Sequence, residues 1–157
     1  MRPSELFGKD GILAGFRARG KGEALRKILE ALAASGRLPA GRLPEVLEAL
    51  EARERLSSTG LEHGVALPHA AVDRLERPAA ALALAPAGVP FESADGQPAR
   101  LIALLVIPRA ALPDHIRTLA EIARLLGTSR TREALLRATT AEEAFLLIRE
   151  NERPAGP

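Results

Sequence analysis

The sequence predicts a single α/β (α+β) domain, with strands in the middle of the chain and helices at both ends. Three observations carry this. Residues 22–34 and 43–55 place apolar side chains at helical spacing. Residues 100–107 (RLIALLVI) form a short aliphatic run, the strongest strand pattern in the chain. Helical spacing returns from residue 113 onward, with no internal repeat and no low-complexity linker in between. The 157 residues are the length of one domain on a scale of about 150 residues, so 1–157 reads as one unit.

Each element has a local reason. Ile12, Leu13 and Phe16 suit a short first strand before Gly20. Leu25, Ile28, Leu29 and Leu32 fall at i, i+3, i+4 and i+7, and Ser35-Gly36 ends that helix. Leu43, Val46, Leu47 and Leu50 repeat the spacing, with Arg53 and Arg55 at the negative end of the helix dipole. Ser57-Ser58-Thr59-Gly60 reads as a loop. Val65-Ala66-Leu67 reads as a short strand running into a loop at Pro68-His69. Residues 79–85 (AAALALA), bounded by Pro78 and Pro86, are short enough to favour a buried strand over a helix. Asp95-Gly96 marks a turn before the 100–107 strand.

Pro113 suits a first helical position, with Asp114 in the positive first turn, and Ile116, Leu119, Ala120 and Ala123 as one face. Residues 130–138 make a short helix. Thr140 and Glu143 have capping-box spacing ahead of Ala141, Ala144, Phe145 and Ile148. The tail, 151–157, ending in RPAGP, is expected to fray.

Composition excludes several functions. Lys and Arg number 22 against 20 Asp and Glu, a net charge of +2 that gives no strong pull towards nucleic acid or anionic membranes. With no Cys, there is no disulfide, zinc-thiolate site, iron–sulfur cluster or thiol nucleophile. With no Trp or Tyr and four Phe, stacking on nucleobases is disfavoured. No apolar stretch approaches the ~18 residues of a membrane span. MRPSELFGKD lacks the apolar segment of a secretory signal, so the expected location is the cytoplasm.

Chemistry therefore falls to three histidines, His63, His69 and His115. His69 follows a short strand and is expected at a strand end or in a loop, and His115 in the first turn of a helix that follows the best strand. A helix N-terminus offers unpaired N–H groups and a positive dipole end to an anion such as phosphate. The plainer reading of any one histidine is a solvated or structural side chain, and of Arg53 a dipole partner. No Ser-His-Asp signature, Gly-rich phosphate loop or dinucleotide fingerprint is present. A metal site from the three histidines with Asp73 or Asp114 is disfavoured, because no HxH, HxxxH or HExxH pair fixes two ligands locally.

An ordered set of motifs narrows this. Arg53-Glu54 ends a helix; Ser58-Thr59-Gly60-Leu61 and then Gly64-Val65-Ala66-Leu67-Pro68-His69 follow. Further along come Gly88-Val89-Pro90-Phe91, Asp95-Gly96, an aliphatic strand ending at Pro108, and His115 with Ile116, Leu119 and Ala120. Upstream stands Gly20-Lys21-Gly22-Glu23-Ala24-Leu25. Together they resemble the enzyme IIA domain of the bacterial phosphoenolpyruvate-dependent sugar phosphotransferase system, in its fructose/mannitol/nitrogen-type superfamily. The resemblance runs over residues 10–150.

The resemblance implies a mannitol-type IIA fold, a central mixed β-sheet flanked by helices. It implies a phosphotransferase component in which His69 accepts a phosphoryl group from the phosphocarrier HPr and passes it to an enzyme IIB in sugar uptake. His115 and Arg53 would be the second histidine and the arginine beside the phosphohistidine. Imidazole is a competent nucleophile near its reference pKa of ~6.5. Arginine and histidine donors suit the charge that spreads over three phosphoryl oxygens. Thr59 is an auxiliary hydroxyl donor in this reading, and His63 an auxiliary neighbour of the phosphate. No cofactor or metal is required. The alternative is a nitrogen-type regulatory IIA that binds and controls partner proteins according to its phosphorylation state.

Two departures stand out. The family commonly has Gly-Asn where this chain has Glu62-His63. Ala70-Ala71 follows His69 where the family often has a small residue and then Arg, so a basic side chain is missing.

Overall fold

The computed structural model describes residues 1–154. A five-stranded mixed sheet forms the centre. Its strands are β1 (Ile12–Leu13), β2 (Val65–Ala66), β3 (His69–Val72), β4 (Ala79–Val89) and β5 (Ala99–Pro108). The helices are α1 (Pro3–Phe7), α2 (Lys21–Ala34), α3 (Leu43–Leu56), α4 (Leu112–Gly127), α5 (Ser129–Arg137) and α6 (Ala141–Asn151). β4 and β5 pair antiparallel in the middle, and β1 runs parallel to β4 on one edge. β2 and β3 lie end to end along the other side of β5, both parallel to it. No helix among the described residues is long and apolar enough to cross a membrane.

The two central strands explain their own sequences. Over Ala79–Ala85 and Leu101–Ile107 both faces are covered, so these stretches are apolar rather than alternating with polar residues. Ala79, Ala81, Ala83 and Ala85 face α2 and α3 together with Ile102, Leu104 and Val106. Ala80, Leu82 and Leu84 face the opposite side with Leu101, Ala103, Leu105 and Ile107, under α1, α4, α5 and α6. Alanines on one face of β4, and Ala80 with two leucines on the other, produce the AAALALA pattern.

Three expectations need correction, and one element is new. β4 does not stop at Pro86 but continues to Val89, with an irregular register between Leu84 and Val89. A bulge is where a strand tolerates a residue without an N–H. β3 is a strand that begins at His69, where a loop was expected. α1 was not anticipated; at five residues it is too short to show a period. The start of the expected tail is held down: the Glu152 carboxylate accepts the Ser4 N–H at 2.9 Å and its hydroxyl at 2.6 Å. Residues 155–157 of that tail lie outside the described residues.

The buried face of α4 also differs from expectation. Ile116 is 59% exposed and Ala120 is exposed, while His115, Thr118, Ile122, Leu125 and Leu126 are buried. Ile122, Leu125 and Leu126 anchor the helix on the sheet. Traced back at 3.6 residues per turn, their stripe passes through Thr118 and His115, so two polar side chains are drawn onto the inner face. At α6 the Thr140 hydroxyl accepts the Glu143 N–H at 3.2 Å, as the capping spacing predicts.

On α2, Glu23 is gripped by Arg19 at 2.8 Å and by Lys27 at 3.1 Å. These hydrogen bonds, Arg19 first, lower its carboxyl from 4.5 to about 2. A depressed folded-state value stabilises the fold above the unfolded value, and that contribution is lost as pH falls from about 4.5 through about 2. A side-chain carbonyl NMR titration should give a Glu23 midpoint near 2; an ordinary glutamate midpoint would show that the two cations do not hold it in solution.

Candidate functional site

The site is built from the last turn of α3, the loop behind it and the start of β3. Two neighbours at the end of α3 turn opposite ways. Arg53 stays at the surface and donates from Nη1 to the Ser57 carbonyl at 2.8 Å, covering a helix-end acceptor. Glu54 turns inward and is 8% exposed.

Its carboxylate is a hub. Oε2 accepts Lys21 Nζ at 2.9 Å and the Thr59 N–H at 3.1 Å, and Oε1 accepts the Thr59 hydroxyl. Lys21 also donates to Ser58 Oγ at 3.1 Å and stands 5.1 Å from the centre of the Phe91 ring. Ser58 Oγ donates to the Phe91 carbonyl at 2.7 Å and accepts the Gly60 N–H at 3.1 Å. A buried ion pair is tolerable only when further hydrogen bonds satisfy its atoms, and this one has them. Gly60 closes the loop: a Cβ there would fall 2.8 Å from Ser93 Cα and 2.9 Å from the Phe91 carbonyl oxygen, so only glycine fits without a backbone shift.

The loop then pairs with the chain that leads to His69. Gly60 bridges Ala66, the Leu61 N–H reaches the Val65 carbonyl at 2.7 Å, and the Leu67 N–H reaches the Thr59 carbonyl at 3.1 Å. His69, half-buried, starts β3 opposite Leu105. Its Nδ1 lies 2.7 Å from the Leu67 carbonyl oxygen. A carbonyl only accepts, so Nδ1 carries the proton and the neutral ring keeps a free lone pair on Nε2.

His115 stands in the first turn of α4, which follows β5 through the short turn Arg109–Ala111. It is 9% exposed, and its Nδ1 is buried without a hydrogen-bond partner. β3, which starts with His69, and β5, whose end leads into α4 and His115, are hydrogen-bonded neighbours in the sheet. Among the described residues no hydrogen bond joins His69, His115 and Arg53 to one another.

The other two candidates are placed differently. The Thr59 hydroxyl is taken by Glu54. His63 precedes β2, whose Val65 pairs with Leu101, whereas His69 pairs with Leu105. Four residues of strand separate these register points, about 13 Å. His63 has a positive φ of 62° and gives its N–H to Asp95 Oδ2 at 3.0 Å. It serves a tight turn there, and its ring is exposed beside Glu62 at 3.8 Å. The Gln97 N–H, followed by the His63 N–H, holds the Asp95 carboxyl below its usual range.

The family model for the phosphoenolpyruvate-dependent sugar phosphotransferase system, EIIA 2, matches residues 5–151. This chain belongs to that family. The nitrogen regulatory protein of Pseudomonas aeruginosa is 35% identical over 132 residues, covering 81% of this chain and 84% of that protein. The fructose-specific EIIA component of Haloferax volcanii is 34% identical over 106 residues, covering 66% of this chain and 69% of that one. The crystal structure of the nitrogen regulatory protein IIA-Ntr from Neisseria meningitidis superposes with a TM-score of 0.83 at 28% identity, over 92% of this chain and 97% of that one.

Within this enzyme IIA chain, sequence reasoning gave no role to Lys21, Glu54 or Ser58. A signal existed for Glu54: a carboxylate in the last turn of a helix faces the negative end of the dipole, so it needs a reason to be there. Position 71 has no basic side chain of its own, but one reaches its backbone from elsewhere. Arg109, just after β5, donates to the Ala71 carbonyl at 3.1 Å and to Asp73 at 2.9 Å. Ala71 alternates with Ala70 on β3 and so shares the face of His69.

Proposed function

We infer that this IIA chain is a phosphohistidine carrier whose acceptor atom is His69 Nε2. The observation that carries this is the hydrogen bond from His69 Nδ1 to the Leu67 carbonyl, 2.7 Å long, which leaves Nε2 as the unprotonated nitrogen. The Nε2 lone pair attacks phosphorus on a donor phosphohistidine of an HPr-like protein. The new P–Nε2 bond forms as the donor P–N bond breaks, and the donor imidazole keeps that electron pair. The His69 ring then bears a positive charge and retains its proton on Nδ1, and the Leu67 carbonyl dipole faces that charge. A cationic ring is a good leaving group, so the group passes on to an enzyme IIB. The free N–H groups of Arg53 and a ring nitrogen of His115 supply charge and hydrogen bonds to the phosphoryl oxygens.

Exposed apolar side chains support a protein partner. Leu56 ends α3, Leu61 follows the Ser-Thr-Gly loop and Ile116 follows His115; they are 83%, 40% and 59% exposed. A contiguous apolar patch beside a site is characteristic of protein docking, and these three side chains are the ones available to form it. Incubation with phosphoenolpyruvate, enzyme I and HPr should add one acid-labile phosphate, read by intact mass. A chain that stays at its unmodified mass beside phosphorylated HPr overturns the reading.

Downstream there are two readings. The likeness to the Haloferax fructose component favours transfer to an enzyme IIB in fructose- or mannitol-type uptake, in the cytoplasm. The likeness to the Pseudomonas and Neisseria proteins favours a nitrogen-type regulator that binds target proteins according to its phosphorylation state. Phosphoryl transfer to an added enzyme IIB supports the first reading. Capture of a target by only one phosphorylation state supports the second.

A further inference from the structure

We propose that Glu54 is a positioning residue for His69: its buried carboxylate holds Thr59, Thr59 holds Leu67, and Leu67 fixes the proton on His69 Nδ1. The links are continuous. Glu54 Oε2 accepts the Thr59 N–H at 3.1 Å, and Oε1 accepts its hydroxyl. The Thr59 carbonyl accepts the Leu67 N–H at 3.1 Å. The Leu67 carbonyl accepts the His69 Nδ1–H at 2.7 Å. Each link uses the opposite side of one residue's polar groups, so moving one end reorients the next.

The placement of Glu54 is otherwise unfavourable. A carboxylate at a helix C-terminus opposes the dipole, and burial removes its hydration. Lys21 balances its charge at 2.9 Å from the start of α2, which makes the hub a junction of two helices and the loop. Thr59 gives both of its donors to the one carboxylate, which fixes the residue in position and rotation. Without that grip the Ala66–Leu67 peptide loses its hydrogen bond to Thr59, and a turn there carries the carbonyl of the next peptide, Leu67–Pro68, out of line with the imidazole. The ring then also takes the Nε2–H tautomer, in which the attacking nitrogen is protonated and inert. The inference rests on the reading of His69 Nε2 as the acceptor atom.

Long-range ¹H–¹⁵N spectra of the His69 ring in the full chain test it, alongside initial rates of phosphorylation by phosphorylated HPr. The wild type should show the Nδ1–H tautomer. Thr59→Val keeps side-chain volume but removes the hydroxyl; it should populate Nε2–H and slow phosphorylation about tenfold, the worth of roughly one hydrogen bond to a charged group. Glu54→Gln keeps the side-chain shape and should shift the tautomer the same way, which preserves the test if Thr59→Val does not fold. Thr59→Ser, which restores the hydroxyl, should restore Nδ1–H. Folded variants with a wild-type tautomer overturn the proposal, as does a wild-type ring protonated on Nε2. A wild type that takes no phosphate while its variants still shift tautomer supports the positioning role and overturns the carrier reading instead.

Discussion

Alanine in place of His69 should abolish phosphoryl acceptance, whereas alanine in place of Arg53 or His115 should slow it without removing it. The difference is one of role. Acceptance needs a lone pair on a nitrogen that can leave again, and His69 Nε2 is the nitrogen left free by the Nδ1–Leu67 bond at 2.7 Å. Alanine offers none. In the proposed function Arg53 and His115 act on charge that develops on the phosphoryl oxygens, and removing one donor of that kind costs about 10²–10³ in rate. Initial rates by intact mass, with phosphorylated HPr as donor, read both effects. Acid-labile phosphate retained in His69→Ala would move the nucleophile elsewhere, and His63, exposed in its turn, is where it would be sought.

Glu54→Ala lowers stability by about 3–5 kcal/mol, the range for breaking a buried pair from one side. Lys21, whose side chain is 14% exposed, loses the partner at 2.9 Å, and both Thr59 donors lose their acceptor. For a chain of this length the loss lowers the melting temperature by roughly 6–20 °C. Removing both charges together, as in Lys21→Met with Glu54→Leu, should recover much of it, because the penalty is mostly an uncompensated buried charge. Thermal unfolding followed by circular dichroism measures both variants. A Glu54→Ala chain within about 1 kcal/mol of the wild type, a surface pair's worth, would show that the carboxylate is not the hub of the loop.

Much of the fold was legible because local pattern and tertiary role coincide. The spacing of Leu25, Ile28, Leu29 and Leu32 follows from one buried face on one helix, and α2 buries that face. Residues 100–107 lie between two helical layers, so they read as strand without alternation. α4 shows where this breaks down. Its first turns carry Ile116 outward and His115 and Thr118 inward, a choice made by the Leu125 and Leu126 anchor further along. β4 passes through Pro86 where its register with β5 is irregular, and the neighbouring Gly88, at a φ of 82°, is the residue that marks such a break.

The sequence by itself determined the chemistry available: three histidines, no thiol, a Ser-Thr-Gly loop and an Arg-Glu pair closing a helix. It also determined most element boundaries, since capping residues, prolines and apolar periods act over a few neighbouring positions. Only the tertiary structure decided which of those groups meet. Glu54 and Lys21 lie 33 residues apart and His69 and Leu105 lie 36 apart in the chain, yet the first pair is joined by an ion pair and the second by strand register. The structure put His63 at the far end of that register and committed the Thr59 hydroxyl to Glu54. It left Nε2 as the free nitrogen of His69. Local spacing carries the period of a helix or strand but no information on register between distant strands, and register is what decides which distant residues are brought side by side.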